Sequence, residues 1–169
     1  MNQALLIIAV GNPSRGDDAL GPLFLEHLAE WSEPFNDQSK IELLTDFQLQ
    51  IEHTIDLENR KLVLFVDASV SCRSPFQFSR LQPAKDAGYT SHALSPAMVL
   101  QIYGQINPDP PPPAFQLAIR GECFELGDPL STMAQTNLIL ALTFASQLLA
   151  IPAVKTWDQF VQEDENIFP

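Results

Sequence analysis

The chain has 169 residues, 46% of them hydrophobic, which suffices for one domain with a sizeable core and no need of disulfides or a structural metal. Its 21 acidic residues against 9 lysines and arginines give a formal net charge of -12. That balance repels phosphate backbones and anionic lipid, so neither nucleic acid nor a membrane is an expected partner.

Residues 4–10, ALLIIAV, form a short unbroken apolar run that stops at Gly11-Asn12 and reads as a strand buried on both faces. The loop GNPSRGDD follows, then a helix over about 20–31 with Leu20, Phe24, Leu28 and Trp31 on one face and Pro22 in its first turn. A second strand, 41–45, ends at Asp46, a short helix covers 50–57, and a third strand, 62–66, ends at Asp67. Residues 76–81 alternate as a partly exposed fourth strand. Ser95 is a good N-cap, with Pro96 at the first helical position and Gly104 closing a helix over 97–103. The segment PDPPPP, 108–113, is a rigid connector, 115–119 is a fifth strand, and 133–149 is a long apolar helix. Residues 1–152 are expected to make the domain and 153–169 an acidic tail.

Strands alternating with helices predict a single three-layer αβα sandwich around a mostly parallel, roughly five-stranded sheet. The N-terminal apolar run is too short to span a bilayer and lacks the flanks of a signal peptide, and no other segment is expected to span. Cys72 and Cys123 lie in no CxxC pair and read as free thiols of a reducing compartment. The expected location is the cytoplasm.

Ligands of open α/β sheets bind beyond the carboxyl ends of the strands. Asp17 and Asp18 follow the first strand, Asp46 ends the second and Asp67 the third, so all four carboxylates are expected at one edge. Such a cluster repels itself unless a cation or protons compensate. Asp18, Asp67 and a histidine make an oxygen-oxygen-nitrogen set suited to nickel or zinc. Acidic residues also favour helix N-termini, so of Asp17 and Asp18 one is expected to cap and one to function. Of the three histidines, His27 reads as a boundary residue and His53 as solvated, while His92, in a loop ahead of a helix, is the best placed ligand. No HExxH and no GxSxG occur, so a zincin or a serine nucleophile is unsupported. Cys72 has no obvious base nearby, and the glycine loop leads into two acids that would repel phosphate.

The stretch Gly11 to Gly21, GNPSRGDDALG, resembles the opening motif of the hydrogenase maturation proteases. LVLFVDAS resembles the family's second acidic site at Asp67, SHALSPAMVL its histidine segment at His92, and TDFQLQIEHTIDLENR its middle region. The likeness is collinear from the first strand to about Ser131. Ala19 stands where many members have glycine, and Asp18 where some have glutamate.

The resemblance implies an endopeptidase that removes the C-terminal extension of a nickel-loaded hydrogenase large-subunit precursor. It implies that Asp18, Asp67 and His92 recognise the nickel, which arrives with the substrate and is not a stored cofactor, and that these three are also the catalytic set. Gly11 and Asn12 shape the supporting loop, and Asp17 is either a base or a cap. Two alternatives remain. One is a non-catalytic chaperone for the same precursor. The other is a phosphoacceptor receiver domain, against which stand Arg120 in place of a lysine after the fifth strand and the long loop before the acid pair.

Overall fold

Strand β1 (Leu5–Val10) is buried at every position. It lies between two parallel neighbours, β2 (Ile41–Asp46) and β3 (Leu62–Ser69), and a strand covered on both faces has no place for a polar side chain. The computed structural model describes residues 4–31, 41–86 and 93–162. Among these, five strands form one sheet in the order β2-β1-β3-β5-β4. β5 (Ala114–Arg120) runs parallel to β3, and β4 (Phe76–Arg80) closes the edge antiparallel to β5.

Helices cover both faces. Leu5, Ile7 and Ala9 pack with Phe24 and Leu28 of α1 (Leu20–Glu30), with Ala141, Ala145 and Leu148 of α4 (Thr132–Ala150), and with Trp157 of α5 (Val154–Phe160). The alternate residues Leu6, Ile8 and Val10 face Leu49, Leu57 and the Val99-Leu100-Tyr103 side of α3 (Pro96–Ile106). The short α2 (His53–Asp56) lies on that second face, in contact with α3. The expected three-layer sandwich with a mostly parallel sheet is therefore the observed architecture.

Several elements differ in extent from the reading of the sequence. β3 does not stop at Asp67. It continues to Ser69 because β5 supplies partners for three further residues, Asp67↔Ala118, Ala68↔Ile119 and Ser69↔Arg120. α3 runs through Gly104 to Ile106, since only Asn107 leaves helical geometry. The core also extends past residue 152. Trp157 of α5 is fully buried against Phe115 and Phe78, and its indole N–H donates to Leu148 O at 2.8 Å. α4, with 19 residues and a mean hydropathy of 1.3, is by length and composition able to cross a membrane, whereas no such segment was expected from the sequence. Its Ala134, Leu138, Ala141, Ala145 and Leu148 are buried against the sheet, which accounts for its apolar character as a core helix.

The connection from β1 leads outward to β2, and the chain then returns to β3 on the other side of β1. The strand order therefore reverses between β1 and β3, the place at which open α/β sheets bind ligands beyond the carboxyl ends of their strands.

Candidate active site

The crevice is built by close backbone approach. After β1 the chain turns at Gly11, whose φ of +147° is one that side chains rarely allow. A Cβ there would lie 2.0 Å from Asp18 O. Gly21 lets the start of α1 descend onto the strand ends, since a Cβ would stand 2.4 Å from Val10 O and 3.2 Å from Val66 O. Between these glycines a single 3-10 turn, Gly16–Ala19, carries the two acids. Asn12 shapes the loop with its side chain, accepting from Ser14 N–H at 2.9 Å, and with its backbone N–H, which donates to Asp18 Oδ2 at 2.7 Å.

Asp17 and Asp18 leave this turn in different environments. Asp17 is fully buried. Its carboxylate accepts from Glu122 N–H (2.8 Å), Cys123 N–H (3.0 Å), Ser131 N–H (2.7 Å) and Ser131 Oγ (2.7 Å). Burial alone would raise its pKa, but these four donors outweigh that and hold it below the usual 3.8. Ser131 also caps α4 by accepting from Ala134 N–H. Asp17 thus ties the β1 loop to the loop after β5. It makes no cap hydrogen bond to the helix that follows it, contrary to the expected division of labour between the pair. With four donors on its carboxylate, three of them on Oδ2, and its pKa lowered, it is a weak candidate for a base.

Asp18 lies near enough to Asp67 for its charge to act on the Asp67 carboxyl. Asp67 follows Val66, the last β3 residue paired to β1, so it lies just beyond the β1–β3 ladder while β5 still holds its backbone. Its Oδ1 accepts from Ala68 N–H at 2.7 Å. Burial pushes its pKa up to about 7, the Ala68 bond pulls the other way, and the charge of Asp18 adds to the rise. Among the described residues, one oxygen of each carboxylate has no hydrogen-bond partner. Two neighbouring acids, one of them desolvated, repel each other unless a cation or protons compensate.

His92 lies outside the described residues, as does the segment 87–92 that carries it. The flanks of that segment are tied down. Ser95 N–H donates to Asp86 Oδ2 at 3.1 Å, the Ser95 hydroxyl bonds to the same carboxylate, and Leu94 N–H donates to Leu49 O at 3.2 Å, three residues beyond Asp46. Among the described residues no group of three His, Cys, Asp or Glu side chains is arranged to hold a metal.

Asp46 also reaches the site edge, opposite Val10 in the β1–β2 register, and its carbonyl accepts from Gly11 N–H at 3.1 Å. Its carboxylate lies 3.3 Å from His53 Nε2. His53 was expected to be solvated but is buried. Gln50 N–H donates to its Nδ1 at 2.8 Å, which places the ring proton on Nε2, directed at Asp46. Gly11, Pro13, Pro22, Thr45, Asp46 and Phe47 line a cavity of about 230 Å³ beside this pair.

No family model matches the chain, and no curated protein does. Solved structures do. HybD, a hydrogenase maturating endopeptidase from E. coli, superposes with a TM-score of 0.67 at 22% identity over 89% of this chain and 93% of its own. The hydrogenase maturation protease HycI from Thermococcus kodakarensis KOD1 gives 0.63 at 19% identity over 88% and 94%. A hydrogenase 2 maturation peptidase from a Thaumarchaeota archaeon gives 0.59 at 20% over 88% and 97%. This chain has the fold of the hydrogenase maturation proteases.

Other chemistries find less support in the geometry. The Cys72 thiol is buried and donates to Ala118 O at 3.6 Å, and burial raises its pKa, so it is held as a thiol and not as a nucleophilic thiolate. Arg120, at the position where a receiver domain needs a lysine, donates instead to Cys72 O at 2.7 Å. The antiparallel β4 outside β5 also departs from the receiver strand order of 2-1-3-4-5. Reading the chain missed the Asp46–His53 pair and the partners of Asp17. Asp46 and His53 are seven residues apart in no recognised motif, and the donors to Asp17 are mostly backbone groups that no side-chain pattern can announce.

Proposed function

We propose that the chain is an endopeptidase that removes the C-terminal extension of a nickel-loaded hydrogenase large-subunit precursor. The observation that carries this reading is the pair Asp18 and Asp67 on the two sides of the β1–β3 switch point. Each has one oxygen uncommitted among the described residues, and Asp67 is desolvated enough for its pKa to rise to about 7. An acid pair held this way favours a divalent cation, and the resemblance of the SHALSPAMVL segment adds His92 as the nitrogen donor. The nickel is part of the substrate.

In the proposed mechanism the chain's own groups position and do not store. Asn12 N–H and Ala68 N–H fix the carboxylates of Asp18 and Asp67, so that their free oxygens and His92 recognise the nickel of the loaded precursor. That cation polarises the scissile carbonyl as a Lewis acid. Asp17, saturated by four donors, keeps the loop rigid and takes no proton.

The test is mass spectrometry of the hydrogenase large-subunit precursor after incubation with the protein, with and without prior nickel loading. Loss of a C-terminal peptide from the nickel-loaded form alone is expected. Trimming of the nickel-free form would retain the protease and overturn nickel recognition by Asp18, Asp67 and His92. Tight binding with no trimming of either form would establish the chaperone alternative.

A further inference from the structure

Among the described residues most exposed large apolar side chains are scattered singly, apart from the Ile139-Leu140 pair on α4. One stretch is different. Phe47, Ile51 and Ile55 are exposed by 68%, 58% and 64% within nine residues. They are spaced four apart, and hydrogen bonds from Thr54 N–H to Ile51 O and from Ile55 N–H to Glu52 O coil the chain so that Ile51 and Ile55 are one turn apart. Leu49, His53 and Thr54 between them, and Leu57 just beyond, are the ones turned inward. The segment has thus already satisfied the core and retains a second apolar side facing solvent.

This ridge is continuous with the candidate site. Phe47 is both its first member and a wall of the 230 Å³ cavity that Gly11, Pro13, Pro22 and Asp46 complete. The ridge carries acid along it. Glu52 and Glu58 are exposed, and Asp46 is 39% exposed at the cavity wall. Of the two basic residues that follow, Arg60 is buried and engaged by Glu42 Oε2 at 2.6 Å and Asp56 O at 2.8 Å, and Lys61 is exposed beyond the last turn of the ridge. A second copy of the chain would bring the same acids and the same net charge of -12 against them.

We propose that the Phe47-Ile51-Ile55 ridge and the adjoining cavity form the docking track for an apolar, basic stretch of the precursor polypeptide, leading it into the Asp18–Asp67 crevice. The occupant follows from complementarity: apolar side chains cover the ridge and the cavity, and lysine or arginine side chains meet Asp46 and Glu52. His53 is a positioning residue in this scheme, because it holds Asp46 at the cavity wall from the buried side. The inference rests on the protease reading for the identity of the partner.

The experiment measures precursor binding and cleavage separately. Binding of the nickel-free precursor, which the protein is not expected to cut, is followed by fluorescence anisotropy, and cleavage of the nickel-loaded precursor by wild type and each variant is followed by mass spectrometry. Ile51→Asp and Ile55→Asp change only exposed positions, and Ile139→Asp, equally exposed on α4, is the control. The expected result is binding weakened about tenfold or more by each ridge variant, a matching rise in KM with kcat held, and no change for Ile139→Asp. Glu52→Lys is expected to weaken binding at low salt and to converge on wild type at high salt. Wild-type cleavage with equal binding by all variants overturns the docking track and leaves the protease reading standing. Ridge-dependent binding without cleavage does the reverse. Absence of both binding and cleavage overturns both. A wild-type dimer that Ile55→Asp dissolves overturns the precursor as occupant in favour of a second copy.

Discussion

The junction around Asp17 and the crevice around Asp67 lie close together at the carboxyl ends of the strands, and each holds a carboxylate removed from water. At the junction, four donors surround Asp17, two of them from the tight turn after β5 and two from the residue that caps α4. In the crevice, one backbone N–H serves Asp67, and its near neighbour is another acid. Burial pushes both pKa values upward, but only at Asp17 do hydrogen bonds reverse the direction. A buried charge that is fully bonded holds structure together. One that is incompletely bonded costs stability and persists where something else, such as a substrate cation, completes it.

The contrast is most sharply broken by exchanging what each acid does. Asp18→Asn or Asp67→Asn is expected to lower precursor trimming by about 100-fold or more, since several kcal/mol of charge stabilisation are lost, with the fold retained by circular dichroism. Asp17→Ala is expected to act on stability first. It leaves the Glu122, Cys123 and Ser131 donors without an acceptor, a loss of about 3–5 kcal/mol measurable by urea denaturation. If Asp17→Ala instead abolished trimming at undiminished stability, the division between the two regions would collapse.

Titration sharpens the same comparison. The pKa of Asp67 is raised from 3.8 to about 7, so its neutral form favours the fold. Its contribution is complete below pH 3.8 and is lost as the pH rises through about 7. Asp67→Asn removes that dependence and is expected to be more stable than the metal-free wild type at pH 8 by about 1–2 kcal/mol, or roughly 3–6 °C in Tm. Asp17 has the opposite sign. Its contribution is present above pH 3.8 and is lost as the pH falls through its lowered value, so Asp17 variants are expected to lose part of the acid-induced unfolding below that point. The smallest effect belongs to an ordinary surface acid. Asp158 pairs with Arg80 at 2.8 and 3.0 Å but is 46% exposed, and Asp158→Ala is expected to cost about 0–1 kcal/mol with no change in trimming.

Much of the architecture was open to reading because it depends on local pattern. An all-apolar run such as LLIIAV allows nothing but a strand covered on both sides, and Ser95-Pro96 announces a helix start with its own chemistry. Boundaries were less legible where a partner decides them. β3 reaches Ser69 because β5 is there to pair with it, and residues 154–160 form a helix because Trp157 finds a pocket between Phe78 and Phe115.

At the site the same distinction holds. That four aspartates arrive at one edge of a mostly parallel sheet was legible in the chain, because strand ends and apolar runs are local properties. The sequence also carried the motifs by which Asp18, Asp67 and His92 resemble a family site. The assembled fold decided which of two adjacent acids is locked and which is open, because the donors that lock Asp17 come from more than a hundred residues away. It decided likewise that His53 turns inward to Asp46 while Ile51 and Ile55 turn outward, since spacing alone assigns no side to a short amphipathic turn until a core chooses one.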